Sequence, residues 1–430
     1  MDVSPRRTVF EANDKDLSLL QLMNQDVLAD PHSLYRALRE RDPVYWDPYM
    51  HAWVVTSYPE VVNVLMTCLA DRTVSPAYLD QLGLSFMMPF AELMPQQIMF
   101  NDGASHTRLR GLCMAAFTPR RVERLRTVID SIADELLDKV MAAGEMELIA
   151  EFAGPLPAMV TAKLLGVPVE DHQRLHAWVL DLAEVLGNFQ HDPDRMAQIV
   201  QSLQQLKAYI SAHIEQQRKQ PNEGLIHALL TVEVDGQHLT DDEVVANTIL
   251  ILVGGNETTT SLIAGGFLTL LQRPNAYEQL RTHPQITASA VEELLRFESP
   301  SQSTARIAPA DMQLGGKSIK KGARIVAGLA AANRDPNRFP DPDRLDLERG
   351  DNRHVAFGWA AHFCFGAPLA RSEGQIAFNK LLGRLSRAKL LEEKLAWRTN
   401  VGFRSLTSLR ISFDPDMSSK RKTITAGQGH

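Results

Sequence analysis

The stretch FGWAAHFCFGAPLAR, Phe357–Arg371, decides how this chain is read. Cys364 stands in it between small residues, with Ala360 and Ala361 before it and Gly366 and Ala367 after it. A helix is expected just downstream, from about Ala367 to Leu385. A helix N-terminus lowers the energy of a thiolate, so the placement predicts that this cysteine can be anionic. Small residues let a flat, bulky group approach the backbone closely. The competing reading is a buried, inert cysteine, the commoner fate of a lone one.

The rest of the chain narrows the choice. It has 430 residues, with 45 Lys plus Arg against 52 Asp plus Glu, so the net charge is −7. Nucleic-acid binders carry a basic surplus, so that class is disfavoured. Hydrophobic residues make up 44% and charged residues 23%, which suits an ordinary globular protein and excludes disorder for most of the chain. Cys68, Cys113 and Cys364 cannot build a disulfide framework, and no CxxC pair points to zinc. A reducing cytoplasm is the expected compartment. No apolar run of signal-peptide length opens the sequence. The most apolar stretch, Val244–Gln272, is interrupted by Glu257, and neither flank reaches the ~18 residues of a membrane span. A deeply buried helix carrying one acid is expected there, and such an acid is costly without a task or a partner. A lone thiolate in an aromatic-lined loop fits an axial iron ligand.

Periodicity gives a mainly α fold with small β-sheets. Val44–Trp46 and Ala52–Thr56 read as a strand pair around the turn-like DPYMH. Helices are predicted over Pro59–Cys68, Pro119–Ala142, Asp171–Gly187, Pro193–Gln217 and Thr240–Gln272. Thr240 and the acids after it form an N-terminal cap for the last of these. Asp311–Gly328 reads as small strands between glycine turns, Asn333–Arg349 as a Pro- and Asp-rich loop, and Leu406–Phe413 as strand-like. No repeat or linker divides the chain. We expect an N-terminal extension over 1–24, one domain over 25–413 and a C-terminal tail over 414–430. The tail, with Lys420-Arg421-Lys422, reads as disordered and solvated.

From about residue 25 to 413 the sequence resembles the cytochrome P450 superfamily of soluble bacterial type. The haem-binding signature F-G-x-G-x-H-x-C-x-G is met by Phe357, Gly358, His362, Cys364 and Gly366, with Ala360 in place of the second glycine. The resemblance implies the cytochrome P450 fold, haem b as cofactor and Cys364 as the iron ligand. Val253-Gly254-Gly255-Asn256-Glu257-Thr258-Thr259 matches the family's small-Gly-x-acid-Thr pattern. Two glycines inside a helix cost ~1 kcal/mol each, so something must need the space. A haem face beneath Gly254 supplies the need. Thr258 and Glu257 would be catalytic, the hydroxyl positioning protons for dioxygen cleavage and the acid relaying them. The bland alternative is a helix bend from Ser/Thr back-bonding.

Further family-like contexts follow. Glu293-Leu294-Leu295-Arg296 matches E-x-x-R, and Arg344 is expected to join this pair in bracing the haem loop. His106, Arg110, Arg306 and His354 are expected to hold the haem propionates. The Met- and Phe-rich segment Tyr78–Phe100 would roof the substrate pocket, through Phe86, Met87, Met88, Phe90, Leu93, Met94, Met99 and Phe100. Trp178–Phe189, Ser301–Ser303 and Leu406 would complete the wall. No charged residue lies between Gln81 and Ala91, and Glu92 is the one charge expected near the roof, so an apolar substrate bound without a salt bridge is expected. Fatty acyl, terpenoid, steroid-like and polyketide compounds all fit.

No G-x-G-x-x-G follows a strand, and the stretch after Phe413 is too short for a reductase. Electrons are therefore expected from a ferredoxin or flavodoxin-type donor with its own reductase. Arg108, Arg120 and Arg121 are candidate docking charges. The function implied is a monooxygenase acting with O2. The alternatives are a peroxide-driven hydroxylase, an oxidative coupling enzyme on the same haem, and a non-catalytic haem sensor.

Overall fold

Two of the helices that position the site begin on side-chain caps supplied by the sequence. In the computed structural model α1 (Gly103–Ala116) starts after Asp102. The next helix, α2 (Pro119–Val140), opens on a proline, with the Thr118 hydroxyl accepting from Arg121 N, and buries the stripe Val122, Leu125, Ile129, Ile132 and Leu136. A left-handed glycine, Gly166 at φ 79°, ends α3 (Pro155–Leu165). There follow α4 (His172–Gly187) and α5 (Asp241–Leu271). At the start of α5, Thr240 and Glu243 cap each other's backbone reciprocally. The last two are α6 (Thr287–Glu298) and α7 (Ala367–Arg384).

The structure describes residues 9–187 and 193–415. Lys420-Arg421-Lys422, Phe189 and the start of the N-terminal extension lie outside the described residues. Within them Leu17, Leu19 and Leu22, which precede the boundary expected at residue 25, are buried in the same core as Leu34 and Leu38.

Helix α5 is buried almost all round and packs against α3, α4, α6 and α7. A side chain at Gly266 would come within 2.6 Å of Phe378 Cζ in α7, so glycine allows this close approach. The resulting arrangement is mainly helical. Small sheets flank it, as the sequence predicts. Val44–Asp47 pairs antiparallel with Ala52–Val55, which pairs in parallel with Arg324–Ala327. Thr304–Ile307 adds antiparallel to that strand, with Arg306 opposite Ile325. This register carries Arg306 to the wall of the main cavity. In the Leu406–Phe413 segment the strand is confined to Arg410–Ser412, and Leu406 makes only an isolated bridge with Trp397. Among the described residues no helix is long and apolar enough to cross a membrane.

Candidate active site

Cys364 precedes α7 by three residues and hangs in a loop tied across its neck, where its N–H donates to Phe357 O at 2.9 Å. Gly358 makes the return possible with φ 73°. Ala360 adopts φ 56°, so the alanine that replaces the signature's glycine is held in the left-handed conformation glycine would take freely. The thiol is exposed, but toward a cavity of about 1160 Å³ that it helps line. Burial raises its pKa, against backbone N–H groups of Gly366 and Ala367 and the charges of Arg110 and Arg371, which lower it. Burial thus favours the neutral thiol against the helix terminus, and a metal ion at the sulfur would favour the anion. Arg371 is itself fixed by Glu292 through two bonds of 2.7 and 2.8 Å and lies over the Phe357 ring.

Gly254 and Thr258 of α5 line the same cavity as Cys364, Phe357 and Gly358. The Thr258 hydroxyl donates to Gly254 O at 2.6 Å, the helical back-bond of the bland reading. Its oxygen still faces the cavity with lone pairs to accept a donor. Glu257 does not line the cavity. It is buried on another face of α5, near His176 of α4, whose positive charge it favours. Burial outweighs that effect and lowers the His176 pKa.

The four predicted propionate partners divide. Arg110 and Arg306 are on the cavity wall, and His106 and His354 are not. His106 stacks on His362 at 4.2 Å, and it is His362 that reaches the wall. His354 lies behind the loop, with Nε2 3.3 Å from Glu292 Oε2. Burial, His106 and Arg306 push the His362 pKa down to about 4, and burial lowers that of His106, so both rings are neutral donors at pH 7. Among the described residues His106 Nε2 and Arg306 Nε are buried with no hydrogen-bond partner. Donors left in this way fit the carboxylates of a bound group, and the lone cysteine opposite them fits its iron.

The brace beneath the loop holds a correction. Glu293 and Arg296 are wholly buried and paired at 2.7 Å. The third member is Arg349, whose Nε lies 3.1 Å from Glu293 Oε2, and not Arg344, whose side chain turns outward to Asp346. Arg344 contributes its carbonyl, which accepts from Arg349 Nη2 at 3.2 Å. Arg296 also donates to the carbonyls of Asn333 and Pro342, both at 2.9 Å. Asn333 Oδ1 in turn accepts from Val355 N at 2.7 Å, two residues ahead of Phe357.

The roof is half as predicted. Met87, Met94, Met99 and Phe100 line the cavity, joined by Tyr78 and Ile98. Phe90 and Leu93 face the core instead, and Phe86 is exposed. Met88 and Glu92 do not reach the cavity. Of the described part of Trp178–Phe189 only Val185 reaches it. Ser301 and Ser303 do so, while Gly402 and Phe403 stand where Leu406 was expected. The wall also holds Arg72 and Glu373, neither legible beforehand. Glu373 lies on the face of α7 that also brings Leu369 and Ala370 to the cavity, and the period of α7 could have flagged it. Burial alone raises its pKa to about 8. Two of the three docking arginines are engaged, Arg108 with Glu243 and Arg121 with the Glu223 carbonyl.

The family model described as Cytochrome P450 matches residues 28–394. The chain is 36% identical to the polyketide biosynthesis cytochrome P450 PksS of Bacillus subtilis, over 89% of this chain and 96% of that protein. It is 36% identical to a vitamin D(3) 25-hydroxylase of Pseudonocardia autotrophica, over 90% and 94% of the two chains. A crystal structure of P450BioI in complex with hexadec-9Z-enoic acid ligated acyl carrier protein is similar with a TM-score of 0.85 at 34% identity, covering 90% of this chain and 99% of that one.

Proposed function

Because the chain belongs to the cytochrome P450 family, whose members bind haem b and act as monooxygenases, we propose that it inserts one oxygen atom of O2 into an apolar small molecule. Electrons come from a separate ferredoxin or flavodoxin with its reductase. One juxtaposition carries the reading: the Cys364 thiol, the Thr258 hydroxyl and an apolar wall share one cavity. The haem, when bound, supplies dioxygen activation and the oxidising power for the insertion.

Cys364 would hold the iron, with Arg110 and Arg371 offsetting the sulfur's charge. Arg110 and Arg306 would take the two propionates, with His362 and, behind it, His106 as neutral donors. Thr258 gives its own proton to Gly254 O, so it acts as an acceptor and would hold a water or other proton donor in place. Glu257, near His176, would relay protons from outside the cavity. Met87, Met94, Ile98 and Met99 exclude water and fit themselves to an irregular lipophile. Relatives named for polyketide biosynthesis and vitamin D(3) hydroxylation support such a substrate. Residues 25–413, together with the Leu17–Leu22 segment packed into their core, form the haem domain, and the protein works in the cytoplasm.

The test is a titration of ferric holoprotein with lipophiles and with polar amino-acid-like compounds, followed by turnover with a surrogate ferredoxin and reductase. Lipophiles should shift the haem toward high spin and yield oxygenated product. Thr258→Ala should keep the spin shift and lower the product formed per reduced nicotinamide severalfold. Tight binding confined to the polar set would overturn the apolar reading. Oxidation by the isolated chain with reduced nicotinamide and catalase would overturn the need for carriers.

A further inference from the structure

Two cations on the cavity wall, Arg72 and Arg324, have no part in the mechanism above. Arg72 lies between the helix Tyr58–Thr67 and the roof, in a segment whose Thr73, Val74 and Ser75 also line the cavity. Its guanidinium sits over the Phe100 ring at 4.6 Å, and Nη1 donates to Ala70 O at 3.0 Å. Among the described residues no carboxylate forms an ion pair with it. The two nearest acids are occupied. Asp102 accepts from Asp71 N at 2.8 Å and from His362, and Asp71 accepts from Thr73 N at 2.9 Å and from its hydroxyl at 2.7 Å.

Burial pushes the Arg72 pKa down to about 10, and the like charge of Arg306 adds to the effect. The group remains charged at pH 7 at a cost. A guanidinium withdrawn from water beside another cation is expensive until an anion meets it. The propionates are the first anions to consider, and Arg110 and Arg306 match them one to one. Arg324 also reaches the wall but is exposed, where water can serve it. Arg72 is thus a surplus enclosed cation. It shares the cavity wall with Val74, Tyr78, Met99 and Phe100 of the apolar roof. The expectation of a pocket without a counter-charge came from residues 81–91 and did not reach position 72.

We propose that Arg72 anchors the carboxylate of the substrate, so that the enzyme takes lipophilic monocarboxylic acids with the acid end at Arg72 and the reacting carbon toward Thr258. The proposal rests on the haem monooxygenase reading and narrows its substrate class. The Phe100 ring and the Ala70 carbonyl hold the guanidinium, and the N–H groups that Ala70 does not take are left for a carboxylate.

Ferric holoprotein should be titrated by spin shift with dodecanoic acid and with its methyl ester, in the wild type, Arg72→Gln and Arg72→Lys. The wild type should bind the acid at least about tenfold tighter than the ester, a gap of about 1.4 kcal/mol. Arg72→Gln should erase that preference and leave ester binding unchanged, and Arg72→Lys should retain part of it. Equal loss for acid and ester in both variants would overturn the anchor. So would loss of haem or a shifted reduction potential in Arg72→Gln with the acid preference intact, which would give Arg72 to a propionate. A wild type with a thiolate-type reduced carbon monoxide band that binds ester as tightly as acid overturns the anchor alone. A wild type without that band overturns the haem-thiolate reading as well.

Discussion

The loop side of the cavity and its roof are built on different terms. On the loop side, Cys364, Arg371, Glu292, Glu293, Arg296 and Arg349 are locked by directional bonds to one another and to backbone carbonyls. On the roof, Tyr78, Met87, Met94, Ile98 and Met99 touch the cavity from several short turns, and what they share is apolarity. Directional chemistry tolerates few residue types at few spacings. Apolar walls tolerate many. Substitution should therefore be severe and specific on one side and graded on the other.

The largest effect should come from the brace. Arg349→Ala leaves Glu293 short of a buried partner and should cost about 3–5 kcal/mol. Arg344→Ala should stay within about 0.5 kcal/mol, because its side chain is exposed beside Asp346. Denaturant unfolding of the two variants checks the pair, and equal costs would break the assignment of Arg349.

Glu373 sharpens the comparison by pH. Its ordinary pKa of 4.5 is raised to about 8 by burial. The folded state thus keeps a proton that the unfolded chain loses. The associated stability is complete below about 4.5 and falls as pH rises to about 8. Glu373→Gln carries no such loss, so its advantage over the parent should grow across this window to the order of a few kcal/mol. Thermal unfolding at pH 5 and pH 8 measures it. An advantage equal at both values would contradict the raised pKa.

On the roof, Met99→Ala should weaken spin-shift binding of a preferred lipophile about tenfold, as loss of ~1–2 kcal/mol of apolar contact implies. Phe86→Ala should change it little, because Phe86 is exposed and off the wall. Ala360→Gly relieves the positive φ of 56° and should add about 1 kcal/mol of stability, a smaller effect than that of Arg349, Glu373 or Met99.

What was legible follows the same division. The helix pattern and the capping pair Thr240 and Glu243 were readable from local spacing, while the family resemblance pointed to Cys364, Thr258, Arg110 and Arg306, all of which line the cavity. Arg344 and Arg349 sit in one loop, and spacing cannot tell which arginine turns inward when the loop's path is set by Glu293 and the carbonyls around it. Glu257 follows Thr258's neighbourhood in sequence, yet adjacent residues on a helix point about 100° apart. Arg72 carried no signal, because its meaning arises only where a turn, Phe100 and Arg306 meet. Phe90 and Leu93 share the composition of the wall residues, and only the fold of their short helix sends them to the core.

Cys364 alone should tie the iron to the protein. Cys364→Ser should be expressed with haem, reduced and exposed to carbon monoxide. The thiolate-type absorption band of the wild type should disappear in this variant, while Cys68→Ser and Cys113→Ser should keep it. A thiolate band retained in Cys364→Ser would mean that another group holds the iron.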